Sequence, residues 1–221
     1  MARFVGRLGT KLNYALGRAE KTEYDEATKT AMKNFENFKE DTDKTIDRIN
    51  EYIPKASTLT KQERIAEATS KMSAHVDPSH SLSKNATAFA DCMRTIGRAE
   101  QEMGVNTAEN TLRVMKEFSK NEFDAYKKAK TALQNATLDM DGARAKRSRS
   151  TSPDPAVRQT LDANQRTTEQ IFEERKNELM QIVNRINYHC ENQYNANHAF
   201  AKAMLNFHNA AIAALQQYLN Q

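Results

Sequence analysis

The distribution of helix breakers constrains this fold more than any other feature of the sequence. Proline is absent from residues 82–152, and neither proline nor glycine occurs in residues 156–221. Because proline in a helix interior costs roughly 3 kcal/mol and glycine about 1 kcal/mol, both segments are predicted to be long helices. The stop signals lie between them, in a turn at residues 142–155 that contains a glycine, two prolines and a Ser/Thr run. The chain is therefore expected to be all-α, with two long antiparallel helices forming a hairpin.

Three long helices are predicted in all, at residues 18–53, 82–147 and 156–219. In each of them, apolar or small side chains recur in steps of three and four, a spacing typical of coiled-coil packing. The residues of the first helix in this pattern, which form its seam, are Ala31, Phe35, Phe38, Thr42, Thr45 (or Ile46), Ile49 and Tyr52. Those of the second are Ala108, Leu112, Met115, Ser119, Glu122, Tyr126, Ala129, Leu133 and Ala136. Those of the third are Val157, Leu161, Phe172, Leu179, Ile182, Ile186, Cys190, Tyr194, Phe200 (or Ala201), Met204, Ala211, Leu215 and Leu219. Three such thin helices leave apolar faces uncovered, which predicts a homodimer with its interface remote from the hairpin tip.

Residues 2–17 form a separate amphipathic segment that contains no acid. Its apolar residues, which we expect to insert into a membrane, are Phe4, Val5, Leu8, Leu12 and Leu16. Its cations, which we expect to contact lipid headgroups, are Arg3, Arg7, Lys11 and Arg18. Two glycines make this helix marginal in water, so burying its apolar face at a membrane interface is expected to stabilise it. Docking on the protein's own core and a mitochondrial presequence remain alternatives.

A second cluster of cations lies at the hairpin tip and on the helix that leads to it. Its members are Lys127, Lys128, Lys130, Arg144, Lys146, Arg147 and Arg149. Each Lys or Arg near an anionic bilayer is worth about 1 kcal/mol, so we expect these side chains to bind lipid headgroups. A solvated turn with ordinary charges is the alternative. Nucleic acid is not expected as a partner, because no aromatic residues are interleaved with these cations to stack on bases.

Residues 54–81 interrupt the pattern and are predicted to be an insert with a short helix from residue 60 to about residue 74. Ile65 and Met72 lie on one side of that helix. They indicate either a second element that touches the membrane or an ordered loop.

The sequence offers no catalytic chemistry. We find no Gly-rich phosphate loop, metalloprotease motif or nucleophile elbow, so the protein is not expected to be an enzyme, and no cofactor or metal is expected. Asp139 and Asp141 are two residues apart and do not share a helix face, which favours a helix end over a metal site. Cys92 and Cys190 have no metal-type spacing and are expected to be reduced, half-buried core residues of a cytoplasmic protein. No apolar run approaches the roughly 20 residues that span a bilayer.

Three passages resemble the BAR superfamily, specifically its endophilin-like members with an N-terminal amphipathic helix. Residues 16–25 (LGRAEKTEYD) are similar to the junction between that helix and the first core helix, most closely in the endophilin B type. Residues 138–146 (LDMDGARAK) resemble the family's L-D-x-D signature before the tip, although Met140 replaces the usual aromatic or leucine. Residues 207–217 (FHNAAIAALQQ) resemble the end of the third helix. Amphiphysin-type domains, which share parts of the first two passages, are the second choice.

The resemblance implies a crescent-shaped antiparallel dimer of three-helix coiled coils. It implies an amphipathic helix at residues 1–17, a BAR domain at residues 18–221 and binding to anionic phospholipid membranes with sensing or generation of curvature in endocytic or organelle traffic. The expected location is cytoplasmic and peripheral to the membrane. The sequence ends at residue 221 without the family's C-terminal domain for Pro-rich partners, either because it is a fragment or because that domain is lacking, so protein partners other than a second copy cannot be inferred. A structural coiled-coil adaptor that binds protein partners without membrane activity is the alternative function.

Overall fold

The computed structural model describes residues 2–17, 20–55 and 58–220, with side chains from Gly6 onward. In this part of the chain the regular secondary structure is entirely helical, which confirms the all-α prediction. The α-helices are α1 (Ala2–Ala15), α2 (Glu26–Tyr52), α3 (Lys61–Ser73), α4 (Ser81–Thr107), α5 (Arg113–Glu117), α6 (Phe123–Arg149), α7 (Pro155–Val183) and α8 (Ile186–Leu219). Two π-helical turns, Ala108–Leu112 and Phe118–Glu122, flank α5.

The chain divides into two compact units. The first comprises residues 1–39 and 120–187, and therefore contains α1, the beginning of α2, α6 and α7. Its core is aromatic and aliphatic: the ring centroids of Phe35 and Tyr126 lie 5.1 Å apart, and Leu133, Met140 and Leu179 are fully buried. Burying an aliphatic or aromatic side chain of this size contributes about 1.5–3 kcal/mol, which is how α2, α6 and α7 are held together.

The second unit comprises residues 40–119 and 188–221. One of its apolar clusters joins the end of α2 to α5 and α8, through Ile46, Ile49, Leu112, Met115 and Ala196. Another cluster joins α3 and α4 to the end of α8, through Ala66, Ala90, Cys92, Met93, Ile96 and Ala214. The insert is therefore a packed part of this unit, and its helix α3 lies within the range predicted for it.

Capping explains where three helices begin. The Asp25 carboxylate accepts a hydrogen bond from the Thr28 backbone N–H at 2.8 Å, so α2 begins at Glu26 and not at residue 18 as predicted. Thr60 and Glu63 form a reciprocal capping box at the start of α3. At the hairpin tip, α6 continues through Gly142 to Arg149, and α7 begins at Pro155 with Asp154 as its cap. The non-helical connection is thus shorter than the turn predicted at residues 142–155.

The helices predicted at residues 82–147 and 156–219 are less regular than the spacing of their apolar residues indicates. The π-helical turns interrupt the first of these two, and the adjacent residues Thr111 and Leu112 are both buried there, whereas Ala108 is exposed. The third is divided at residues 184–185 into α7 and α8. Beyond this break the predicted seam is only partly covered: Phe200 and Ala211 pack against the apolar clusters, whereas four other members are exposed, namely Cys190, Tyr194, Leu215 and Leu219. The buried residues of α8 are His189, Ala196, Ala203 and Ala214.

Candidate membrane-binding surface

The N-terminal helix α1 presents an apolar stripe to solvent. Leu8 and Leu12 of α1, and Leu16 one residue beyond its end, recur every fourth residue, and their exposed fractions are 60%, 61% and 52%. Large apolar side chains are normally covered, and a contiguous row of them left in water marks an interaction surface. A helix of this kind, apolar on one face and basic beside it, is suited to the headgroup boundary of a bilayer.

The helix α1 is not free of the protein, because its polar face lies on α6. The Arg7 guanidinium donates two hydrogen bonds to the Asp139 carboxylate, at 2.9 and 2.7 Å, and these bonds raise the pKa of Arg7. The Tyr14 hydroxyl donates to Asp141. Docking on the protein's own core was one alternative from the sequence. In the structure the polar face is docked and the apolar face is exposed.

The side chains of Arg3, Phe4 and Val5, and Arg18 as a whole, lie outside the described residues. Their predicted roles in insertion and headgroup binding stay predictions. Lys11 is described and exposed, and it is the cation of α1 that the structure leaves facing solvent beside the leucines.

The cations of the tip fall into two groups. Arg144 pairs with Glu169 at 2.9 Å, and this hydrogen bond, together with one from Gln165, lowers the pKa of Glu169. Arg147 forms an ion pair with Asp162, so α7 supplies the acids that pair with both arginines. Lys146 and Arg149 are exposed; the Arg149 guanidinium donates to the Ala145 carbonyl, and neither forms an ion pair within the described part of the chain.

The lysines near the start of α6 likewise divide into two that pair with an acid and one that pairs with no described acid. Lys130 lies against the core, where its ammonium pairs with Glu36 at 2.5 Å. Burial alone would raise the pKa of Glu36, but the hydrogen bonds from Lys130 and Tyr126 lower it. Lys127 pairs with Asp124 at 2.6 Å on the surface, and Lys128 is exposed without an ion pair to any described residue. Lys128 is therefore the arm lysine most available to an anionic ligand.

In the second unit, the insert presents a smaller apolar patch. Ala66 is the residue of α3 that is buried against α4, and the face that carries Ile65 and Met72 is exposed. Leu59, just before the helix, is also exposed. The two predicted insert residues thus share an accessible face.

Sequence reasoning missed the role of Asp139 and Asp141, which were interpreted as a helix end. Both lie within α6, where they bind α1 and the segment that follows it. Asp141 is buried, although aspartate is seldom buried without partners. The signal in the sequence that could have indicated this role is a pair of acids in a helix together with an N-terminal segment whose charged residues are all cations.

No helix in the described residues combines the length and hydropathy needed to cross a bilayer. The described residues also contain no group of three or more His, Cys, Asp or Glu side chains placed to hold a metal ion.

Comparison with known proteins identifies the fold. A search of curated proteins found no significant match. Among solved structures, the chain is similar to the N-terminal I-BAR domain of D. discoideum IBARa, with a TM-score of 0.52 and 14% sequence identity over 88% of this chain and 87% of that one. At this identity the likeness shows the fold alone. The sequence profile of the BAR domain matches residues 1–221. This chain therefore belongs to the BAR domain family, whose members are helical, non-enzymatic modules that dimerise, bind membranes and sense or remodel membrane curvature.

Proposed function

We propose that this chain is an endophilin-like BAR domain that binds anionic membranes and senses or induces their curvature as a homodimer. The observation that carries the proposal is the row of exposed leucines formed by Leu8 and Leu12 of α1 and by Leu16, one residue beyond its end. Insertion of this row as a wedge at headgroup level would expand one leaflet, and the gain grows with curvature because curved leaflets have more packing defects. The proposed setting is endocytic or organelle traffic, at the cytoplasmic surface of the membrane.

Electrostatic attraction supplies the second part of the mechanism. Lys11, Lys128 and Lys146 are exposed lysines without an ion partner in the described chain, and Arg149 has only a carbonyl partner. At about 1 kcal/mol per cation near an anionic surface, they concentrate the domain on negatively charged lipid. Arg144, Arg147, Lys127 and Lys130 contribute less, because an acid already partly neutralises each of them.

The homodimer is supported by the outer face of α8. Leu205, Ile212 and Leu219 recur every seventh residue on that helix and are all exposed, with Leu215 one turn from the last two. A seven-residue apolar repeat on an uncovered helix is the pattern by which helices associate. We assign this face, which belongs to the second unit, to the interface with a second copy.

A substitution pair in α1 tests the membrane proposal. Leu8→Gln/Leu12→Gln removes apolar area without changing the net charge, and Leu8→Met/Leu12→Met is the matched control, since methionine has nearly the shape of glutamine but is apolar. Burying a leucine is worth about 1.5–3 kcal/mol, so we expect the Gln pair to weaken binding to small anionic vesicles at least roughly tenfold. The Met pair should bind like the wild type. Equal binding by all three proteins would refute insertion by α1.

A structural coiled-coil adaptor is the second candidate, because the exposed face of α8 also fits a helix from another protein. The two functions differ in the vesicle experiment. An adaptor would not bind vesicles at low salt, and its partner binding would be unaffected by either substitution pair in α1.

A further inference from the structure

The polar face of α1 has a defined partner on α6. Arg7, Thr10 and Tyr14 are spaced by three and four residues, which places them on one side of the helix. They meet Asp139, Gly142 and Asp141 respectively. Thr10 is buried at 4% exposure, and its hydroxyl also donates to the Gly6 carbonyl within α1.

Asp141 extends this contact to the chain beyond α1. Its carboxylate accepts hydrogen bonds from the Thr22 backbone N–H at 3.0 Å and from the Thr22 hydroxyl at 2.6 Å, in addition to the Tyr14 hydroxyl. A buried carboxylate is tolerated only when such donors satisfy it. Burial, and then the bond to Asp141, raise the pKa of Tyr14. The segment on each side of residue 18 is thus attached to the same point of α6.

The docked face and the apolar stripe point in different directions. At about 100° per residue, the stripe at Leu8 and Leu12 lies well over 100° around the helix from the face at Arg7 and Tyr14. Docking through the polar face therefore turns the leucines away from α6, as their exposure shows.

We propose that Asp139, Asp141 and Gly142 are positioning residues, which hold α1 folded with its leucines outward before the protein meets a membrane. This inference rests on the proposed function. A 14-residue helix with Gly6 and Gly9 is only marginally stable by itself. If the domain had to fold this helix on the bilayer, the conformational entropy lost in folding would weaken membrane binding. Docking on α6 removes much of that cost, so the three residues act on membrane binding through α1 without touching lipid.

Gly142 offers a precise way to test the docking. A Cβ added at this position would lie 2.5 Å from the Thr10 hydroxyl oxygen, whereas the next nearest atoms, also of Thr10, are at 3.8 and 4.0 Å. Gly142→Ala therefore displaces α1 while alanine favours the helix α6 that carries it. Thr10→Ala/Gly142→Ala removes the hydroxyl and with it the clash, so the double variant should dock again. Asp139→Asn is an independent variant, which weakens the pair with Arg7 at nearly constant size.

The first measurement is amide hydrogen exchange at residues 6–15 of the full chain without lipid. Because charge-assisted hydrogen bonds hold α1, we expect Gly142→Ala and Asp139→Asn to accelerate exchange on the order of tenfold or more, and the double variant to restore wild-type protection. Exchange in α6 and α7 should not change. Equal exchange in wild type and Gly142→Ala, or no recovery in the double variant, would overturn the docking.

The second measurement is binding of the same proteins to small anionic vesicles. The inference predicts weaker binding by Gly142→Ala and recovery in the double variant. If exchange changes as expected but wild type and Gly142→Ala bind vesicles equally, the positioning role is wrong while the proposed function stands. If the wild type binds no vesicles, the proposed function and the positioning role both fail, and the exchange result still decides whether α1 docks on α6.

Discussion

At the scale of single residues, Glu100 is an acid held partly out of water between α3 and α4. One of its carboxylate oxygens is buried and has no hydrogen-bond partner among the described residues. Burial raises the pKa of Glu100 above its ordinary value of 4.5; nearby Lys61 opposes this rise and Glu63 adds to it. The folded protein therefore keeps this proton to a higher pH than the unfolded chain does, and stability falls as the pH rises from about 4.5 through the folded pKa.

We expect Glu100→Gln to remove this loss. The variant should have a higher free energy of unfolding than the wild type at pH 7, and the two proteins should converge below about pH 4, where the carboxyl is protonated in both states. Urea unfolding at a series of pH values measures the difference. A variant that is less stable than the wild type at pH 7 would show that the carboxylate contributes favourably in the folded protein.

Lys146 is the tip residue whose charge is most open to lipid, and its role is tested by reversal. We expect Lys146→Glu to weaken binding to anionic vesicles by roughly fivefold or more at low salt, since each cation near the surface is worth about 1 kcal/mol. The difference should shrink strongly near 1 M salt, where the Debye length is only about 3 Å. Co-sedimentation at both salt concentrations measures it. A loss of binding that does not depend on salt would point to misfolding and not to an electrostatic contact.

The candidate site was predictable from sequence only in part. The spacing of Leu8 and Leu12 indicates the exposed stripe, because a four-residue repeat is a local property. The pairing of Arg147 with Asp162 or of Arg7 with Asp139 depends on which residues the fold brings together, and local spacing carries no information about it.

At the scale of elements, the positions of proline and glycine were enough to predict the long helices, but not to predict which of their residues face the core. The interruption at residues 184–185 breaks the helical repeat, and beyond it Tyr194 and Leu219 of the expected seam are exposed on α8. The π-helical turns at residues 108–112 and 118–122 have the same effect, because each adds a residue to a turn without a glycine or proline to mark it. Periodicity reasoning assumes a constant turn and cannot detect these insertions.

The close packing of the start of α3 on Gly97 of α4 can be tested by substitution. The helix α4 continues through Gly97, where an added Cβ would lie 2.5 Å from Cγ of Glu63 and 2.7 Å from the Thr60 hydroxyl oxygen. We therefore expect Gly97→Ala to displace the first turn of α3, despite the better helix propensity of alanine in α4. Hydrogen exchange should accelerate in residues 61–73 and stay unchanged in α4. Unchanged protection of α3 would mean that its capping box accommodates the methyl group.

At the scale of the whole molecule, the uncovered apolar face of α8 predicts a second copy. Leu205→Glu/Ile212→Glu places two charges on that face, and burying them in an interface without partners is strongly unfavourable. We expect the wild type to be a dimer and this variant a monomer, as measured by light scattering coupled to size-exclusion chromatography. Val157→Glu, at an exposed apolar position of α7, is the control and should remain dimeric. A monomeric wild type at micromolar concentration would contradict the assignment.

The central claim is that the domain recognises curved anionic membranes, and binding to vesicles of graded diameter tests it most directly. The full chain would be co-sedimented at low salt with vesicles of equal anionic lipid content and decreasing diameter. We predict that the bound fraction at equal lipid area rises as diameter falls, because the exposed leucines of α1 enter the packing defects of curved leaflets. Absence of binding at every diameter would contradict the account, and equal binding at every diameter would contradict its curvature dependence.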